Sequence, residues 1–194
     1  MKTVHFISGI ILAAFVALHL INHLAVLASP EAHIALMNSL RVVYRNLVVE
    51  AILLVAVLIQ IITGVGLVRS KGFKQASWEK WQVGSGLYLA FFFVMHVSAV
   101  MVGRFVLKLD TNLYFGAAGL NAFPANLFFV PYYGLAVLSL FTHIASIHAQ
   151  KSKHAAAHQQ AQIIVGLGLL TAALILVGMT HFFGGLAIPK TYQF

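Results

Sequence analysis

FISGIILAAFVALHLINHLAVLA, running from Phe6 to Ala28, is apolar at almost every position and carries no formal charge. A bilayer core of about 30 Å needs about 20 such residues in a helix, so the run reads as a membrane span. Its polar content is concentrated in HLINH, where His19 and His23 stand four residues apart with Asn22 between them. The apolar region of a cleavable leader is shorter and free of such groups, so a retained helix is expected. Four further runs are long enough to cross: Leu47–Val68, Gln82–Leu107, Asn126–Gln150 and Gln160–Gly184.

Composition agrees. Hydrophobic residues make up 61% of the 194 and charged residues 8%, against about 25% charged in soluble domains; mean hydropathy is +0.93. The expected fold is all-α, one integral membrane bundle of five helices over residues 1–194 with no internal linker. There is no cysteine, which excludes disulfides, iron–sulfur ligation and a thiolate nucleophile within the chain. The net charge of +8 sits in short connections between apolar runs, a pattern of membrane topology and lipid headgroups rather than nucleic acid.

With five spans, Lys2, Arg69, Lys71, Lys74, Lys80, Lys151 and Lys153 share one side, and Arg41, Arg45, Arg104, Lys108 and Lys190 the other. That bias predicts an N-terminus inside and a C-terminus outside, in a bacterial inner membrane. Between the first two spans, Ser29-Pro30-Glu31 is a helix start, with a capping serine, a proline in the first turn and an acid at the positive end. The helix that follows should be short and interfacial, with Ile34, Met37, Leu40, Val43 and Tyr44 on one side. Arg41 and Arg45 serve either as headgroup anchors or as partners of an anion, such as a haem propionate or a quinone oxygen. Glu50 is expected to pair with Arg45 or Arg41.

Ionisable groups inside a span face the bundle interior and are functional candidates. At 1.5 Å per residue, His19 lies about 20 Å along its span and His96 about 21 Å along the third, which runs the same way. Two imidazoles at one depth on separate helices can ligate one haem iron from both faces. His23 is the alternative ligand, about 6 Å further along, or a propionate partner or proton carrier. His143 lies about 10 Å from the other end of the fourth span, and Gln60 about 13 Å from that end of the second. His143 then serves a second, incompletely ligated haem, lines a quinone pocket with Gln60, or bonds a neighbouring helix. His154 and His158, in HAAAH, have the spacing of a zinc site but read as a solvated helix start; His5, His33, His148 and His181 are given no role.

Five helices with buried histidines on the first, third and fourth resemble the single-chain cytochrome b membrane anchors of succinate dehydrogenase and fumarate reductase. In that family the first and third helices share one b haem, and the second and fourth the other. The resemblance implies that His19 (or His23) and His96 hold haem b, and that His143 is one ligand of a second haem. The second span here carries no histidine, so a one-haem variant is implied. It further implies electron transfer with membrane quinone and soluble flavin and iron–sulfur subunits on the inner face, with lipid around the bundle. Whether the chain is itself an enzyme, and whether it pairs with further copies of itself, stays open. Two rivals stand beside this reading: a structural or transport bundle using polar residues as packing glue, and a membrane di-iron oxygenase, whose HxxxH boxes HLINH and HAAAH mimic.

Overall fold

The computed structural model describes residues 1–71, 77–182 and 184–193; Lys74, assigned above to one side of the membrane, lies outside them. Helix α1 spans Lys2–Leu24 and runs on as a 3-10 turn to Leu27, followed by α2 (Pro30–Tyr44), α3 (Leu47–Lys71) and α4 (Ser77–Met101). A π-helical turn, Val102–Val106, ends α4; α5 (Leu113–Ala117), α6 (Asn126–Lys151) and α7 (Ala157–Met179) complete the chain, with no strand among the described residues. Five of these, α1, α3, α4, α6 and α7, are long and apolar enough to cross a membrane. The chain is an all-α integral membrane bundle, as its apolar runs predict.

The boundaries differ where charge or backbone intervenes. Helix α4 begins at Ser77, not Gln82, because Glu79 and Lys80 lie in helical turns that continue past the apolar run. Helix α7 stops at Met179 rather than Gly184, since His181 and Phe182 take left-handed backbone angles of 46° and 54°. Ser29 caps α2 as expected, its hydroxyl accepting from the Ala32 N–H at 3.0 Å.

In space α1 packs on α3, α3 on α4, α4 on α6, α6 on α7, and α7 returns to α1. Small residues set the closest approaches, as lipid-embedded helices require. Ala145, Ser146 and Ala161 are fully buried where α6 meets α7, and Gly168 lies under Phe141 in the same contact. Of the paired glycines in the sequence, Gly64 faces His5 and Gly86 faces His143, while Gly84 and Gly166 face open space.

One end of the ring is closed by α2, the 107–125 segment and the C-terminal residues. Leu113, Ala117 and Leu120 pack there with Val26, Ile175 and Met179. Asn121 ties the segment down, its amide donating to the carbonyls of Ala117 (2.8 Å) and Met179 (2.9 Å) while its oxygen accepts from the Leu186 N–H at 2.7 Å. The Tyr192 hydroxyl donates to the Asp110 carbonyl at 2.9 Å. This cap is what shuts the bundle axis at the α2 end.

Candidate functional site

Beneath the cap lies a cavity of about 280 Å³ that touches all five spanning helices. Its wall is mainly aliphatic and aromatic, with Phe15, Leu53, Phe92 and Val137 among the lining residues. Three histidines enter it: His19 and His23 from α1 and His96 from α4. Arg41 and Arg45 from α2, and Arg104 from the π-helical turn, stand on its border.

His19 and His96 face each other, with ring centroids 6.2 Å apart and planes at 67°. Two imidazoles sharing one metal, with metal–nitrogen bonds of about 2 Å, would need a similar separation, but as the rings stand the His19 Nε2 is turned to His23. Each ring is held by an aromatic one turn earlier on its own helix. Phe15 stacks on His19 at 5.6 Å and Phe92 on His96 at 4.9 Å. The equal depth inferred from residue counting is therefore matched by proximity.

The two histidines of α1 also touch. Their Nε2 atoms are 3.1 Å apart, one donating to the other, and the Nδ1 of His23 is 3.4 Å from the Nε2 of His33. Asn22, which is buried, places its amide nitrogen 3.2 Å from that same His33 atom. His33 is only 2% exposed, although the sequence reading gave it no role. The face of α2 turned inward is His33, Met37, Arg41 and Tyr44, whereas Val43, expected in the apolar stripe, is exposed. The i, i+4, i+8 spacing of His33, Met37 and Arg41 was the available signal. Burial holds the His33 imidazole down at a pKa of about 4, with His19 and Arg41 pushing the same way.

The arginines are not free headgroup anchors. Arg41 pairs with the Asp110 carboxylate at 2.8 Å and donates to the Thr111 carbonyl at 2.9 Å. Arg45 donates to the Thr111 hydroxyl at 3.0 Å and lies 3.9 Å from Asp110. Glu50, expected to meet one of them, instead pairs with Arg104 through both carboxylate oxygens. Local spacing hides this partner, because Arg104 stands 54 positions along the chain, at the far end of the next span. The Nε of Arg41 is buried with no partner among the described residues.

Gln60 and His143 are outside this cavity and on different helix contacts. The Gln60 amide donates from α3 to the Ser8 hydroxyl at 2.9 Å and to the His5 carbonyl. His143 donates through Nδ1 from α6 to the Gln82 carbonyl of α4 at 3.1 Å. Through these bonds Gln60 couples α3 to α1 and His143 couples α6 to α4. HAAAH is broken too: His154 precedes α7 and His158 lies in its first turn. Among the described residues no group of three or more His, Cys, Asp or Glu is arranged to hold a metal ion.

No protein-family model, curated protein or solved structure matches the chain.

Proposed function

We propose that the chain is a b-type haem protein of the membrane that relays electrons to or from quinone. The observation that carries this reading is the facing pair His19 and His96, 6.2 Å apart in a mainly apolar cavity on the bundle axis. Bound between them, a haem supplies one-electron redox chemistry. The protein's own contribution is ligation by two imidazoles fixed by Phe15 and Phe92, and an apolar wall that excludes water. Arg41, Arg45 and Arg104 place positive charge at the cavity border, where an anionic substituent would meet it. His23 is the alternative ligand on α1, and ligation through the His19 Nε2 gives up its contact with His23.

One complete site supports one haem. The His143 Nδ1–H is held by a backbone carbonyl, and a second haem is not part of this reading. As in the resemblance to succinate dehydrogenase and fumarate reductase anchors, flavin and iron–sulfur subunits would dock on the N-terminal side, which is proposed to face the cytoplasm of a bacterium. The second reading is a structural or transport bundle without haem, favoured by the His19–His23 hydrogen bond, which lets the two rings satisfy each other.

An absorption spectrum of the detergent-purified protein, oxidised and then dithionite-reduced, with a pyridine haemochrome assay, decides between the two. A sharp reduced α-band at one haem per chain supports the first reading. A colourless protein after expression with added haem overturns it and leaves the second.

A further inference from the structure

The first turn of α2 reaches His23, which lines the cavity. Ser29 and Pro30 turn the chain so that His33 lies against the end of α1, its backbone N–H donating to the Ser29 carbonyl at 3.2 Å. The Asn22 amide nitrogen, which can only donate, lies 3.2 Å from His33 Nε2, so that ring nitrogen is an acceptor without a proton. Where His23 Nδ1, at 3.4 Å from the same atom, shares that lone pair, it supplies the hydrogen between them. A neutral His23 protonated at Nδ1 has a bare Nε2, and this accepts from His19 Nε2 at 3.1 Å. Proton placement thus runs in one direction from α2 to the cavity.

The cluster is kept at a cost. His33 Nδ1 and Asn22 Oδ1 are both buried with no partner among the described residues, and each such atom costs about 1–3 kcal/mol. A histidine serving only to fill space would be replaced by an apolar side chain without that penalty.

We propose that His33 is a positioning residue, which fixes His23 in the Nδ1–H tautomer and, through His23 Nε2, orients the His19 ring toward His96. The interfacial helix, not α1 alone, then sets how the cavity presents its imidazoles. This inference rests on the cavity being the functional site and concerns it before any ligand enters, since ligation through His19 Nε2 would give up the contact with His23.

Nitrogen NMR of the full chain, labelled with 15N-histidine in lipid nanodiscs without cofactor at pH 8, tests it. His23 and His33 are expected as single tautomers with protonated Nδ1, assigned by loss of each signal in His23→Asn and His33→Gln. In His33→Leu the His23 signal should split into a mixture of both tautomers. In His33→Gln, whose side-chain oxygen accepts from Nδ1–H, it should return to one. An unchanged His23 signal in His33→Leu overturns the proposal. Where His33→Leu does not fold, a wild-type His23 that is mixed, or protonated at Nε2, overturns it as well. Colour plays no part in this readout, so failure to bind haem removes the proposed function and not this inference.

Discussion

Arg104 and Glu50 join the consecutive helices α3 and α4 through side chains 54 positions apart in the sequence. The guanidinium leaves the π-helical turn at the end of α4 and engages both oxygens of the carboxylate in the first turn of α3. Both side chains are about four-fifths buried, at 20% and 19% exposed. In the same π-turn Gly103 lets the Phe115 ring press on the backbone, where a Cβ would meet it at 2.7 Å. Such turns recur at functional sites, and this one aims a cation at the cavity border.

Breaking that pair from one side should therefore be costly. Glu50→Ala leaves a mostly buried guanidinium uncompensated and is expected to destabilise by about 3 kcal/mol, the lower end for buried pairs. The double variant Glu50→Leu/Arg104→Leu should recover most of the loss. Thermal unfolding in one detergent checks both, with Glu50→Leu and Arg104→Leu as the single variants that close a double-mutant cycle. Additive losses would show that the pair contributes nothing as a pair.

The cavity histidines should separate from the remainder in colour. His96→Ala is expected to abolish the reduced b-type band, and His158→Ala to leave it unchanged. His143→Ala should keep the band, because its ring lies on the α4–α6 contact outside the cavity. Reduced-minus-oxidised difference spectra of the three variants test the ligand assignment, which equal loss in His96→Ala and His158→Ala would sink.

Stability should fall with acid through His33. Its folded pKa of about 4 lies below the unfolded value of about 6.5, so between these values the unfolded chain binds the extra proton. The stabilisation is whole above about pH 6.5 and is lost as pH falls from there toward 4. The groups facing the ring are His23 and Asn22 from α1, with His19 and Arg41 acting on it through space. Melting temperatures measured from pH 8 to pH 4 should drop less in His33→Gln than in the wild type. Parallel curves would assign the acid sensitivity elsewhere.

Glycines should divide by what faces them. A Cβ on Gly168 would stand 2.4 Å from the Phe141 Cβ, an atom tied to its backbone, so Gly168→Ala is expected to cost about 1–3 kcal/mol. Gly84→Ala meets nothing within 4 Å and should gain about 0.4–1 kcal/mol by restricting the unfolded chain. Melting shifts of opposite sign would confirm the α6–α7 contact as the tight one; equal shifts would contradict it.

What the sequence by itself determined is local and one-dimensional. Five apolar runs longer than a bilayer, a Ser-Pro-Glu helix start and the equal depth of His19 and His96 follow from residue counts and a fixed rise per residue. The spans, however, are apolar all round, and a helix without a polar face does not declare which side turns inward. Only the ring order and helix rotations could bring Glu50 to Arg104, turn His33 onto His23, and hand Arg41 and Arg45 to Asp110 rather than to lipid. Those pairings join residues dozens of positions apart or reverse an apparent polar face. They were decided by the packing of whole helices, because in an apolar medium each buried polar group must take whatever partner that packing brings within reach.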